Sequence, residues 1–487
     1  MKSYILELPA TEIIDKIKRQ EVSAEDYIAK LFEKIEHEEP RIHSFITLTK
    51  ESALIQARMI DRKIKTIKDG EKLGRLCGIG VAVKDNICTE GIRTTCGSRI
   101  LENFIPPYDA TVVERIKGEG GIIIGKTNMD EFGMGSTTEY SYFGPTFNPW
   151  DVSRVPGGSS GGSASAIAAD EAGLALGADT GGSIRCPSSF CGTVGLKGTY
   201  GLVSRYGLIS YGNSLEQIGP ITKNVKDCAL LFGCISGHDP RDSTSLPYPS
   251  KDYTQSLIDD VKGLRIGVVK EFFGEGTDEV VAKYVWDSIK SLEGLGASYT
   301  ELSIKSLEYA LPTYYIIAMS EASSNLARYD GLRYGFRAPD KNYDWNTVFS
   351  KNRRLGFGLE VKRRIILGTY ALSAGYFHEY YLKAQRIRTL IRREFDQTFK
   401  KCDVLICPTM PILPFKLGEK VKDPLEMYMC DIDTVPANLT GLPAISIPCG
   451  IHHGLPIGLQ IIAQIYREDL LFRVAYTFEQ NCFSVNG

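Results

Sequence analysis

The chain has 487 residues, 43% of them apolar, enough to bury a large core. Its 57 Lys and Arg against 59 Asp and Glu leave a net charge of −2, so there is no overall pull toward nucleic acid. No apolar run approaches the roughly 18 residues of a membrane span, and residues 1–40 lack the apolar core and cleavage site of a secretory signal; a cytoplasmic protein without membrane contact is expected.

Residues 1–66 read as helical. Gly78 to Asp85 (GIGVAVKD) reads as a buried strand leaving into a loop, Ala110 to Lys117 as a helix, and Gly121 to Gly125 (GIIIG) as a short buried strand. Residues 157–183 are rich in Gly, Ser and Ala, with Ile167, Leu174 and Leu176 in the middle. Those apolar residues and the Ala run favour loop, helix, strand, loop over a flexible linker. Ser236 to Ser256 is polar and contains proline, which suggests a surface loop. Leu264 to Val269 reads as a strand, and Val281, Val285, Ile289 and Leu292 put helical spacing on Asp278 to Leu292. Long helices are expected over 306–327 and 358–400. Cys402 to Cys407, Ala444 to Cys449 and Ile457 to Ala463 read as core strands, and Glu468 to Gln480 as a closing helix. This mixture gives an α/β class: one domain over residues 1–487 with a helical segment at 1–66, rather than the three domains length alone suggests.

The twelve cysteines contain no C-x-x-C pair, so zinc spacing is absent and buried free thiols are expected. Cys186 and Cys191 lie near the Gly-Ser block but have no base nearby in sequence, which makes them weak nucleophile candidates.

Two motif matches fail on physical grounds. Gly120 to Thr127 (GGIIIGKT) fits the phosphate-loop pattern, but three consecutive isoleucines want a buried strand, whose ladder would consume the amides that phosphate needs. Gly157 to Gly161 (GGSSG) fits the nucleophile elbow, yet the preceding residues 151–157 contain Pro156 and make a poor strand, and only His452 and His453 offer bases.

Three features remain. Lys84 ends an apolar strand before Asp85 and Asn86, Ser159 lies in Gly157 to Gly162 (GGSSGG), and Ser183 lies in Asp179 to Pro187 (DTGGSIRCP). In this pattern the chain resembles the amidase signature family. The resemblance implies the amidase-signature fold, a central mixed β-sheet covered by helices on both faces, with the catalytic core over residues 75–235. It implies Ser183 as nucleophile, and an aliphatic hydroxyl needs a base. Lys84 would be that base, made neutral by burial, which lowers a lysine pKa by as much as about 3–5 units. Ser159 would relay the proton, since a hydroxyl both donates and accepts. The resemblance also implies a cis peptide bond before Ser159 and an oxyanion hole of main-chain N–H groups from Thr180, Gly181, Gly182 and Ser183. One such donor is worth about 3–4 kcal/mol. No metal is implied.

Further stretches resemble one branch of that family, the glutamine-hydrolysing subunits of tRNA-dependent amidotransferases: Gly125 to Phe132, Thr199 to Gly207, Ser320 to Asp330, Glu360 to Tyr370 and Pro436 to Pro443. Free glutamine needs a guanidinium for its carboxylate and a carboxylate for its ammonium. The resemblance implies Arg364 for the first, Asp431 for the second, and Tyr315 along the pocket wall. Arg363 is adjacent, and sequence alone does not separate the two arginines. Glu216 stands where this branch commonly has Asp, and Gly198 where it has Pro. The implied reaction releases glutamate and ammonia. A partner would use the ammonia, with ATP and magnesium, to convert Glu-tRNA(Gln) to Gln-tRNA(Gln). The implied partners are the B and C subunits of a heterotrimer, with tRNA held mainly by the partner and no cofactor in this chain. The alternative is a stand-alone amidase of the same family acting on another amide.

Overall fold

A computed structural model describes residues 3–67, 72–339, 343–421 and 423–482. Its strands are β1 (Phe45–Leu48), β2 (Gly80–Lys84), β3 (Ile122–Thr127), β4 (Leu174–Asp179), β5 (Val194–Lys197), β6 (Gln217–Thr222), β7 (Arg265–Val269), β8 (Ser298–Leu302), β9 (Val404–Pro408), β10 (Ala444–His452) and β11 (Leu455–Ala463). Among the described residues these eleven form one sheet in the order β1-β3-β2-β4-β6-β5-β10-β11-β9-β7-β8. β2 is parallel to β3 and β4, and β7 to β8 and β9; the remaining neighbours are antiparallel.

The alternation of side chains along a strand explains the layering. Val404 and Ile406 of β9, with Leu459 and Ile461 of β11, join one apolar cluster; Leu405, Cys407 and Ile462 join the other. Helices Ala24–Ile42, Val225–Ile235, Glu279–Gly294 and Glu468–Asn481 supply the first cluster, and Ala310–Leu326 and Lys383–Thr398 the second. The expected central mixed sheet with helices on both faces is therefore present. No helix among the described residues is long and apolar enough to cross a membrane.

Several elements differ from expectation. The N-terminal stretch is not helical throughout: His43 caps its helix in the left-handed region, and Phe45–Leu48 then pairs with β3 as an edge strand. The span 358–400 is not one helix. Leu359–Leu372 ends before Gly375, at φ 89°, and a π turn at His378–Leu382 leads into Lys383–Thr398. Residues 236–256 form the expected loop at the surface, ending in a 3-10 turn at Tyr253–Ser256, but it is anchored: Asp239 accepts from Ser204 Oγ at 2.7 Å, Asp242 pairs with Arg205, and Tyr253 is buried. The short strands β5, β6 and β8 were not legible, because four to six residues with glycine or no alternation carry little period.

Candidate active site

Lys84 is the last residue of β2 and Asp179 the last of β4, and the parallel pairing of these strands sends both ends to one edge of the sheet. Ligand sites form at such carboxyl ends. Lys84 is fully buried and makes no ion pair among the described residues. Its Nζ lies 2.7 Å from Ser159 Oγ and donates to Ser160 Oγ at 2.8 Å and to the Ala178 carbonyl at 3.1 Å. Burial pulls its pKa down to about 7, against the partial opposition of Asp130 and Asp179.

The neighbours fix where the lone pair of a neutral amine points. The Ala178 carbonyl can only accept. Ser160 Oγ, 3.2 Å from that same carbonyl, spends its own proton there and accepts from Lys84. With both N–H bonds used, the lone pair faces the Ser159 hydroxyl.

The peptide bond Gly158–Ser159 is cis, as the resemblance implies. Ser160 N–H donates to the Ser183 carbonyl at 3.1 Å, which ties the two serine loops together. Ser159 is buried and Ser183 is 8% exposed. Asp179 organises the second loop. Its carboxylate accepts from Gly182 N at 2.9 Å, Ile184 N at 3.2 Å, Asn438 Nδ2 at 2.8 Å, and Arg185 Nε and Nη2 at 3.0 Å. Arg185 also donates to Thr434 O, Gln460 Oε1 and Asn438 Oδ1. This fully buried pair holds the Asp179 carboxyl well below its usual range, with the Arg185 guanidinium outweighing the cost of burial. Arg185→Met is expected to lower unfolding stability by about 3–5 kcal/mol, because it strands a buried carboxylate. An unchanged urea midpoint would refute that.

The four expected oxyanion donors are not equivalent. The Gly182 amide is committed to Asp179, whereas those of Thr180, Gly181 and Ser183 make no hydrogen bond among the described residues. Gly182 matters for its backbone instead: φ is 131°, and a Cβ there would lie 2.3 Å from Thr434 Oγ1.

The expected substrate residues come together beside this loop. Asp431 is buried and accepts from Ser136 Oγ at 2.8 Å and Tyr315 OH at 2.7 Å. Burial raises its pKa to about 6, although both hydroxyls stabilise the anion. Arg364 donates to Glu360 Oε1 and Tyr211 OH, both at 2.8 Å, and its guanidinium stands 5.3 Å from the centres of the Tyr315 and Tyr428 rings. Tyr315 thus touches both charged groups. The two arginines differ in burial: the Arg364 side chain is 3% exposed and lies against the Tyr211, Tyr315 and Tyr428 rings, that of Arg363 is 30% exposed, and both pair with the buried Glu360 carboxylate. Thr434 links pocket to loop, donating to the Gly181 carbonyl at 2.6 Å.

Ser136, Tyr211, Glu360, Tyr428 and Thr434 belong to this site and were not singled out from sequence. Only Glu360 falls in a stretch that carried the resemblance; the others reach the pocket from distant segments with no local pattern. Glu216 turns its carboxylate to Tyr211 N at 2.9 Å and so braces the tyrosine that meets Arg364. Gly198 packs against Phe232, which a Cβ would approach to 2.7 Å.

The rejected motifs resolve as their chemistry implies. Residues 122–127 are β3, and Lys126 is buried, donating to Ile87 O and to the Thr89 and Thr94 hydroxyls. His452 and His453 sit at the β10–β11 turn, against each other and Tyr284. Cys186 and Cys191 are buried, with thiol pKa values pushed up by desolvation, so neither is poised as a thiolate.

The amidase family model matches residues 26–472. The chain is 56% identical to the A subunit of the Cyanothece sp. glutamyl-tRNA(Gln) amidotransferase, covering 96% of this chain and 97% of that one. It is 58% identical to the A subunit of the Thermoanaerobacter pseudethanolicus enzyme, covering 96% and 95%. The crystal structure of the Thermotoga maritima A subunit superposes with a TM-score of 0.81 at 42% identity, covering 98% and 95%. The chain belongs to the amidase family. Within that family its similarity runs, over nearly the full chain, to the A subunits of glutamyl-tRNA(Gln) amidotransferases.

Proposed function

We propose that this chain hydrolyses glutamine to glutamate and ammonia as the A subunit of a tRNA-dependent amidotransferase. The observation that carries the reading is a buried amine with no counter-ion among the described residues, in contact with a serine hydroxyl, beside a guanidinium and a carboxylate, Arg364 and Asp431, that share Tyr315 as a neighbour. That pair matches the two charges of an α-amino acid. It does not suit an amide lacking them, which disfavours a stand-alone amidase of other specificity.

The reaction starts when neutral Lys84 takes the Ser159 proton and Ser159 takes that of Ser183. Ser183 Oγ then bonds to the side-chain carbonyl carbon of glutamine, and the carbonyl oxygen becomes an oxyanion. The amides of Thr180, Gly181 and Ser183 are the free donors for it. The C–N bond breaks, the nitrogen recovers the proton through Ser159, and ammonia leaves a glutamyl ester on Ser183. Water attacks that ester by the same relay and glutamate departs. Arg364 holds the α-carboxylate and Asp431 the α-ammonium, with Tyr315 between them.

Ammonia passes to the B subunit, which uses ATP and magnesium to amidate Glu-tRNA(Gln), and the C subunit completes the heterotrimer. The test is to co-express the three chains and assay glutamine-dependent formation of Gln-tRNA(Gln). Hydrolysis of glutamine with no transfer to tRNA in the assembled complex would reject the assignment.

Asp431→Asn removes the charge for the ammonium but keeps the shape. The KM for glutamine should rise about 30-fold or more, the cost of unpairing a buried charge, with a smaller change in kcat. In the wild type KM should rise as pH falls through about 6, where Asp431 takes up its proton. A flat KM from pH 7 to 5 would remove Asp431 from ammonium binding.

A further inference from the structure

Residues 128–138, the loop that follows β3, touch three parts of the site. Thr138 Oγ1 donates to the Gly157 carbonyl at 2.9 Å, and Asp130 lies so close to the relay loop that a Cβ on Gly158 would come 2.2 Å from its Oδ2. Ser136 Oγ donates to Asp431. The third contact belongs to Glu131, whose buried carboxyl has no part in the reaction described above.

Glu131 reaches the corner between helices Trp345–Gly356 and Leu359–Leu372. Its Oε2 accepts from Gly358 N at 2.7 Å. Its Oε1 meets Ser98 Oγ, which also lies 3.3 Å from the Gly356 carbonyl. Gly358 is the N-cap of the second helix, so Glu131 supplies, from 227 residues away, the bond that a first-turn glutamate gives in a capping box. The helix has no such group of its own: Val361 holds the third position, and Glu360 is spent on Arg363, Arg364 and Tyr428. The contact requires glycine at 358, where a Cβ would lie 2.4 Å from Glu131 Oε2. Phe132, the next residue, packs edge-on against Phe357 with ring centres 5.7 Å apart. That apolar contact holds the corner in place, and the Glu131 bond fixes the direction in which the helix leaves it.

We propose that Glu131 is a positioning residue for glutamine: through Gly358 it sets where helix Leu359–Leu372 presents Arg364, and so the spacing between that guanidinium and Asp431. The proposal rests on the functional reading above, in which those two groups grip the α-carboxylate and the α-ammonium. One loop then gauges the spacing from both ends, with Ser136 on Asp431 and Glu131 on the helix of Arg364. The bond needs an acceptor at Oε2 rather than a charge. Burial pushes the Glu131 carboxyl up to about 7, so carboxylate and acid coexist near neutral pH. The acid keeps its carbonyl oxygen on Gly358 N–H while its O–H donates to Ser98 Oγ, whose own proton turns to the Gly356 carbonyl. A glutamine side chain reproduces that pattern.

The test uses the full chain co-expressed with its candidate B and C subunits and reads glutamine hydrolysis. Glu131→Ala should raise the KM for glutamine about tenfold and leave kcat within about threefold, because the substrate groups are displaced while the triad is untouched. Glu131→Gln should restore a KM within about twofold of wild type, since it keeps the acceptor. Gly358→Ala, which pushes the carboxyl off its bond, should raise KM as Glu131→Ala does, and the double variant no further, because one contact carries both effects. The competitive inhibition constant of γ-aminobutyramide, which has the ammonium and the amide but no carboxylate, should be equal in wild type and Glu131→Ala. A lower urea midpoint with an unchanged KM makes Glu131 a fold-stabilising residue only and overturns the proposal. So does an equal loss with Gln, multiplying effects in the double variant, or an inhibition constant for γ-aminobutyramide that rises with KM. If Glu131→Ala does not fold, Gly358→Ala takes its place in each comparison. Arg364→Met, run alongside, separates this proposal from the reading beneath it. A KM raised by Arg364→Met but not by Glu131→Ala removes the anchor alone, and a KM raised by neither removes the glutamine pocket as well.

Discussion

Ser183→Ala is expected to lower kcat for glutamine hydrolysis on the order of 10⁴- to 10⁶-fold, the effect of deleting the nucleophile from a unit whose members act together. The loss should sit in kcat, because Ser183 lies outside the Arg364–Asp431 pocket and the variant still binds glutamine. The fold should be unharmed. Ser183 is tied to its surroundings through its carbonyl, which accepts from Ser160 N, and the substitution keeps that bond. A rapid-quench search for a glutamyl ester adds an independent readout: the wild type should form one and the variant none. An ester on the variant, or turnover within tenfold of wild type, would place the nucleophile elsewhere.

The second large effect belongs to Lys84, and the choice of replacement makes it diagnostic. Arginine keeps the positive charge and the donors but cannot give up its proton at any accessible pH. Lys84→Arg should therefore be as inactive as Lys84→Met, both down about 10⁴-fold. If Lys84 served only as a fixed cation, Arg would rescue and Met would not. The pH profile gives the sign. Desolvation lowers the amine from its usual value to about 7, so the free base is scarce below that pH and dominant above it. The kcat for hydrolysis should rise with pH through about 7 and then level off, and in Lys84→Met this limb should vanish. A wild-type profile flat from pH 6 to 8.5 would contradict a neutral lysine base.

These expectations also show why the site is built around burial. Among the described residues Lys84 has no carboxylate in hydrogen-bond reach, yet Asp179, at the end of the neighbouring strand, has a full ionic partner in Arg185. Had Asp179 faced Lys84 instead, ion pairing would have restored the charge and removed the base. Arg185 keeps that carboxylate occupied and shapes the loop that carries Ser183. It is thus a positioning residue for both halves of the chemistry.

Local signals carried much of the architecture and failed in recognisable places. Long apolar runs such as GIGVAVK and CDVLIC were readable as strands because burial on both faces leaves a continuous apolar stretch. Glu279–Gly294 was readable because one face repeats at helical spacing. Phe45–Leu48 was missed because four residues between two helices carry no measurable period, and only pairing with β3 makes them a strand. The break at Ser373–Gly375 was missed because helix-forming residues on both sides masked it.

The sequence by itself determined the family resemblance and, through it, the expected reaction chemistry. Lys84, the GGSSGG loop and DTGGSIR are short segments that carry that resemblance, which implies a base, a relay and a nucleophile, and glycines at fixed spacing allow the backbone to approach. Only the tertiary structure decided which arginine is buried against the tyrosine that bonds Asp431, which hydroxyl faces the lone pair of a neutral Lys84, and which loop amides make no hydrogen bond among the described residues. Those choices depend on groups brought together from residues 136, 160, 211, 315, 360 and 428, far apart along the chain. Hydrogen-bond direction and desolvation are properties of that assembly, and no stretch of sequence contains them.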